Sequence, residues 1–100
     1  MSMSGLRFAW DSVKAAENLR KHGVSFDEGK TIFSDPDELM LDDPDHSEEE
    51  ERFISIGRVS NGVVMLACYT EVDETIRLIS VRKADSAEIL AYRHQGEQDA

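Results

Sequence analysis

Three apolar runs separated by tight-turn signals dominate the second half of the chain. Asn61-Gly62, the strongest short signal for a β-hairpin, lies between the runs at 52–59 and 63–70. A second turn at 72–74 leads into a third run at 75–82, in which polar and apolar residues alternate. Sequential strands joined by tight turns favour a meander, so this half predicts three or four antiparallel strands in one sheet.

The first half predicts a strand followed by two helices. Residues 6–10 alternate as a short strand does, and Asp11 offers an N-cap for a helix over 12–22 that Gly23 ends. The other predicted elements are a short helix from the capping box at Ser25 to about Phe33, a strand at 38–42, and a final helix from Asp85 or Ser86 to about His94. The predicted class is α+β: β-α-α, an antiparallel meander sheet with both early helices on one face, and a C-terminal helix.

The length of 100 residues allows a single domain. We expect order from about residue 6 to residue 94, an acidic loop at about 42–51 and a frayed tail at 95–100. Cys68 is the one cysteine and lies in an apolar run, which predicts a buried, inert thiol and excludes an intramolecular disulfide. No segment resembles a signal peptide or reaches the ~18 apolar residues of a membrane span, so we expect a soluble cytoplasmic protein with no membrane partner.

The net charge of −10 comes from one segment of the chain. Ten of the 21 acidic residues lie between Asp35 and Glu51, where there is no Lys or Arg, and the remainder carries 11 acids against 11 basic residues. The total charge argues against a nonspecific nucleic-acid binder, yet the neutral remainder permits a localised positive cleft beside the acidic loop. Oxygen ligands at 42–46 match no known calcium-loop spacing, so solvated acids are expected there and no metal is predicted.

Several short blocks, in order and at matching spacing, resemble one known family. They are Phe8-Ala9-Trp10-Asp11, Asn18 to Phe26, Phe33-Ser34-Asp35-Pro36, Asp45-His46-Ser47, Glu51 to Gly57, and Arg77 to Ala84. Lys-His-Gly-Val-Ser-Phe, together with the Arg-x-Ile-Ser-x-Arg-Lys-Ala type of ending, is the specific part. The sequence is similar to the BrnT toxins of bacterial type II toxin–antitoxin systems.

The resemblance implies a RelE-like ribonuclease fold and RNA cleavage that requires neither a metal nor a cofactor. It also implies neutralisation by a BrnA-type antitoxin that binds DNA, and therefore a toxin–antitoxin hetero-oligomer. Cleavage without a metal uses the 2′-hydroxyl of the RNA as nucleophile, so the protein must supply cations for the phosphate and a proton-transfer group. In this setting the acidic loop would repel nonspecific RNA or attract a basic segment of the antitoxin.

Strand cations are the first candidates for contact with the scissile phosphate. Arg77 is the strongest candidate, and strict alternation places it on one face of the strand with Ile79 and Val81. The alternative role for Arg77 is an ion pair with Glu71. Arg52 matches the family's arginine at this position, with a surface salt bridge to the preceding glutamates as its alternative. Arg82 and Lys83 point to opposite faces of one strand, so we expect one of them to bind phosphate and the other to be a solvated charge at the edge of the strand.

Lys21 and His22 at the end of the first helix are the second set of candidates. The ordinary pKa of a histidine, near neutral, suits proton transfer, although a histidine in this position also caps helix carbonyls. The predicted site is therefore catalytic Arg77, Arg52, Arg82 and His22, with Lys21 and Lys83 binding RNA phosphate.

A nonenzymatic module is the alternative function. The segment 85–94 has one arginine, whereas the final helix of family members is often arginine-rich, and position 49 is Glu where relatives often have glycine. With the charge of −10, these departures favour an inactive toxin homologue that binds an antitoxin or itself. A DNA-binding antitoxin finds little support, because the sequence has no helix-turn-helix signal and no basic arm.

Overall fold

A computed structural model describes residues 6–43 and 51–98 of the chain. Its strands are β1 (Arg7–Ala9), β2 (Leu39–Asp42), β3 (Phe53–Arg58), β4 (Val64–Val72) and β5 (Thr75–Lys83). The helices are α1 (Ser12–His22), α2 (Phe26–Gly29), a 3₁₀ helix (Lys30–Ser34) and α3 (Ser86–Gln98). One five-stranded sheet has the order β1-β5-β4-β3-β2, and the α+β class predicted from the sequence is confirmed.

The helix ends follow the signals in the sequence. The Asp11 side chain accepts a hydrogen bond from the backbone N–H of Val13 and so caps α1 at its start. Gly23 ends α1 with a φ of 72°, a left-handed conformation that glycine adopts without steric cost. The Ser25 hydroxyl accepts from the backbone N–H of Glu28, which is the serine half of the predicted capping box.

The sheet has two differently covered faces. The back face carries Ala67, Tyr69, Leu78 and Val81, which pack against core residues Val24, Phe26, Ile32 and Phe33 of the α1–α2 segment and the 3₁₀ helix. The front face carries Ile56, Val64 and Leu66, which pack against Tyr92 and Ile89 of α3. Both early helical segments therefore lie on one face, as predicted.

A bulge in β5 corrects the predicted orientation of Arg77. Cys68 pairs with Ser80 while Tyr69 pairs with Leu78, so Ile79 is an extra residue without a partner on β4. Because the extra residue resets the alternation, Leu78 and Val81 both point to the back-face core. The prediction that Arg77 shares a face with Val81 is wrong, and Arg77 lies on the front face.

Two further differences concern chain ends and pairing. β1 pairs in parallel with β5, from Arg7 opposite Thr75 to Ala9 opposite Arg77, whereas the other pairings in the sheet are antiparallel. α3 continues to Gln98, whereas the sequence predicts an end near His94. Most of the predicted acidic loop, residues 44–50, lies outside the described residues; its first predicted residue, Asp42, ends β2.

Candidate active site

Arg52 and Arg77 lie in one row across the front face. Arg52 directly precedes Phe53, whose partner is Tyr69, so Arg52 lies opposite Thr70. Thr70 in turn pairs with Arg77. Because paired residues point to the same face and neighbouring strands are about 4.8 Å apart, the two arginines start about 10 Å apart and flank a buried threonine. Their long side chains can therefore reach one shared anion.

Arg77 is exposed and forms no ion pair with any residue in 6–43 or 51–98. The alternative partner, Glu71, pairs with the core residue Ile76 and so lies on the opposite face. A guanidinium that is held mid-strand without a carboxylate is available to bind an anionic ligand.

Arg52 is more enclosed. Its Nε is buried, and among the described residues it has no hydrogen-bond partner. Cys68 lies one row further along the same face, and its Sγ is 3.7 Å from Oδ2 of the buried Asp43. Burial, and next the Asp43 charge, raise the pKa of the Cys68 thiol, which keeps it protonated and unreactive.

Arg82 lies on the same face but is already paired. Its Nη1 and Nη2 donate to Oε1 and Oε2 of Glu88 in α3 over 2.9 Å and 2.8 Å. These hydrogen bonds raise the pKa of Arg82 and lower that of Glu88. Glu88 also exchanges capping hydrogen bonds with Asp85, so Arg82 joins the first turn of α3 to the sheet.

The helix candidates lie beside the edge of β5, beyond the residues that pair with β1. Lys21 and His22 line a shallow pocket of about 230 Å³ together with Lys14, Ile79 and Ser80. Ser80 pairs with the front-face residue Cys68, so the pocket joins the front face at this edge. Lys83 pairs with Met65 of the back-face core and is thus separated from the arginine row.

This geometry can be compared with known proteins. A family model described as the ribonuclease toxin BrnT of type II toxin–antitoxin systems matches residues 10–88. The chain belongs to the BrnT family. Membership of a type II toxin family implies a protein antitoxin as partner. The comparison with curated proteins finds no match.

A solved BrnT structure has the same fold. The 1.1 Å crystal structure of the Brucella abortus ribonuclease toxin BrnT is similar with a TM-score of 0.60 and 23% sequence identity. The similarity covers 81% of the present chain and 99% of the Brucella chain. The five-stranded sheet and its helices are therefore a BrnT fold.

Two cations near these residues, Arg7 and Lys14, are not among the predicted site residues. Arg7 pairs with Thr75 two residues from Arg77, so it lies exposed on the front face. Lys14 lines the edge pocket with Lys21, seven residues later on the same helix. The alternation of Leu6, Arg7 and Phe8 indicates that Arg7 points away from the core. The spacing of about two helical turns indicates that Lys14 and Lys21 share one face of α1.

This arrangement of cations suits electrostatic chemistry on a phosphate. Two guanidiniums on one face of the sheet supply several hydrogen-bond donors, and the edge pocket adds two amines and an imidazole beside the carboxylate of Glu17. No group of three or more His, Cys, Asp or Glu residues in 6–43 and 51–98 is placed to hold a metal ion. No helix in this part of the chain is long and apolar enough to cross a membrane.

Proposed function

We propose that this BrnT-family toxin is an endoribonuclease that cleaves RNA without a metal and is neutralised by a BrnA-type antitoxin, on a RelE-like fold. The observation that carries the proposal is the front-face row of Arg52, Thr70 and Arg77. It combines one exposed guanidinium with one enclosed guanidinium whose Nε has no hydrogen-bond partner in the described part of the chain.

In the proposed reaction the RNA 2′-oxygen attacks the adjacent phosphorus as the bond from phosphorus to the 5′-oxygen breaks. The proton of the 2′-hydroxyl passes to a general base, and a general acid protonates the leaving 5′-oxygen. The products are a 2′,3′-cyclic phosphate and a 5′-hydroxyl, with no other reactant. Arg77 and Arg52 stabilise the extra negative charge on the phosphorane, an effect worth about 2.7–4 kcal/mol per well-aimed donor.

The edge pocket extends this site toward α1. Lys21 binds a neighbouring phosphate, and His22, half-buried at the helix end, is the candidate for proton transfer. Ser80, which lines the pocket and points to the front face, connects the two regions. The RNA strand therefore runs from the arginine row around the edge of β5.

Purified protein incubated with RNA in EDTA tests the proposal. We expect cleavage with cyclic-phosphate ends, and a loss of about 10²–10³-fold in rate for Arg77→Ala. Lys30→Ala is the charge-matched control, because Lys30 pairs with Asp27 on the helical layer of the back face. Equal cleavage by Arg77→Ala and wild type, or cleavage abolished by EDTA, would contradict the proposal.

An inactive homologue is the second candidate function. Two observations favour it. Arg93 is the single arginine of α3, and Arg82 is already paired with Glu88. Intact RNA after incubation with well-folded wild-type protein, with RNA binding and antitoxin binding measured separately, would select this function over the first.

A further inference from the structure

We infer that the outer edge of β2, which no other strand in residues 6–43 and 51–98 covers, is a docking site for an extended, basic segment of a protein partner, which joins the sheet as a sixth strand. β2 is the last strand of the sheet. The backbone N–H of Asp43 donates to the Arg52 carbonyl, which fixes Asp43, Leu41 and Leu39 as the residues bonded to β3. The N–H and C=O groups of Met40 and Asp42 therefore point away from the sheet.

The side chains of β2 leave the edge accessible. Met40 is 60% exposed and Leu41 is 44% exposed, on opposite faces of the sheet. An added strand would cover apolar surface on both faces and would satisfy the outward backbone groups. Strand addition to an exposed edge is a common way for a protein to bind a peptide.

The charge around β2 selects the partner. The exposed acids Asp37 and Asp42 flank the apolar pair, and the sequence from Asp35 to Glu51 has no Lys or Arg. Two copies of this edge would bring like charges together, which disfavours pairing of the chain with itself. Lys or Arg on the face of a partner strand that meets Met40 and Asp42 would instead lie opposite the Asp42 carboxylate. The antitoxin that membership of this family implies is the expected owner of such a segment.

The opposite edge of the sheet, formed by β1, offers a shorter stretch of backbone than β2 for pairing with an added strand. β1 is a strand of only three residues. It carries the exposed Arg7, whose positive charge would repel a basic strand. Beyond β1, the edge of β5 is occupied by the Asn18 side chain, which hydrogen bonds to the N–H and C=O of Val81. A basic strand therefore finds its complement at β2.

A heptapeptide of alternating Lys and Val, titrated by calorimetry, tests the proposal. Met40→Pro removes an N–H that the sheet does not use, and proline is tolerated on an edge strand where its nitrogen faces solvent. We expect Met40→Pro to weaken binding about tenfold and Met40→Ala, which keeps the N–H, to weaken it less. The same peptide methylated at every backbone nitrogen keeps its charge and is expected not to bind.

Amide hydrogen exchange on the wild-type protein gives a readout that does not depend on the folding of any variant. We expect the peptide to protect the amides of Met40 and Asp42. Equal binding of the methylated peptide, protection confined to other strands, or a wild-type dimer that Met40→Pro dissociates would overturn the inference.

RNA cleavage by the wild-type protein is measured in parallel, because the inference takes its partner class from the family and not from the proposed ribonuclease reaction. Peptide binding without RNA cleavage contradicts the proposed function alone. Cleavage without peptide protection at β2 contradicts the docking site alone.

Discussion

Asn18 takes the place of a neighbouring strand beside Val81. Its Nδ2 donates to the Val81 carbonyl over 2.8 Å, and its Oδ1 accepts from the Val81 N–H at 3.1 Å. β1 pairs with β5 as far as Arg77, so the amide satisfies the edge of β5 where β1 no longer runs beside it. The same Nδ2 donates to the Val24 carbonyl, and these bonds fix α1 beside the edge pocket.

Removal of the amide is therefore expected to destabilise the whole domain. Asn18→Ala leaves the N–H and C=O of Val81 and the carbonyl of Val24 without their buried partner. Since each unsatisfied group costs about 1–3 kcal/mol, we expect a loss of about 3 kcal/mol in the free energy of unfolding, measured in urea. Glu17→Ala, at the preceding exposed position, is the control, and an equal loss in both variants would refute this role.

Gly29 is required by the close approach of α2 to β5. A Cβ on Gly29 would lie 2.7 Å and 2.8 Å from the two methyl carbons of the buried Val81. We expect Gly29→Ala to lower the free energy of unfolding by about 1–3 kcal/mol, because the side chain has no room to move in a packed core. Val81→Ala in the same chain should recover part of that loss in thermal unfolding; strictly additive losses would argue against a direct clash.

Local chemistry explains how much of this fold was predictable. The caps at Asp11 and Ser25 and the stop at Gly23 act within a few residues, so the sequence predicts the helix starts and the first helix end. Asn61-Gly62 likewise predicts the hairpin between β3 and β4. Each of these signals involves neighbours along the chain.

The remaining features depend on residues that are distant in sequence. The bulge at Ile79 places Arg77 on the front face, and no local pattern marks it. Asn18 forms hydrogen bonds with Val81, which is 63 positions away in the sequence, and the periodicity of the sequence does not predict this contact. For the site, the sequence identified the cationic residues, but their grouping required the sheet: Arg52 and Arg77 share a row, while Lys83 lies on the other face.

The Arg82–Glu88 pair is expected to hold α3 on the sheet. Both oxygens of Glu88 are engaged, yet the Arg82 side chain remains 39% exposed, so water screens part of the attraction. A double-mutant cycle with Arg82→Ala and Glu88→Ala should give a coupling energy of about 1 kcal/mol that falls with added salt. Glu88→Gln tests the alternative role: if Arg82 serves RNA, its release should speed cleavage, and an unchanged rate would support a structural role.

Tyr92 gives the stability of the domain a specific pH dependence. Its hydroxyl donates to Oδ2 of Asp35 at 2.6 Å. Burial, and then this hydrogen bond to a carboxylate, raise the pKa of Tyr92 to about 12 from its ordinary value of 10. The stabilisation is therefore complete below pH 10 and is lost as the pH rises toward 12.

Asp35 acts at the acidic end of the pH range. Partial burial works to raise its pKa, but hydrogen bonds from the Arg58 N–H, the Tyr92 hydroxyl and the Asp37 N–H outweigh this effect and lower it. Its contribution is thus present above the unfolded pKa, about 3.9, and is lost as the pH falls through the lower folded pKa. Tyr92→Phe should cost about 1 kcal/mol at pH 7 in urea unfolding. A difference from wild type that stays constant from pH 2 to pH 12 would disprove the linkage.

Lys21 and Lys83 test which side of the sheet RNA contacts. Lys21 lines the edge pocket together with the front-face residue Ser80, whereas Lys83 pairs with Met65 of the back-face core. Each phosphate contact contributes about 0.7 to the slope of log affinity against log salt concentration for a single strand. We expect Lys21→Ala to weaken RNA binding and to reduce that slope by about 0.7, and Lys83→Ala to leave the slope unchanged, as measured by fluorescence anisotropy with a noncleavable 2′-deoxy substrate. A reduced slope for Lys83→Ala with no change for Lys21→Ala would place the RNA on the back side of the sheet.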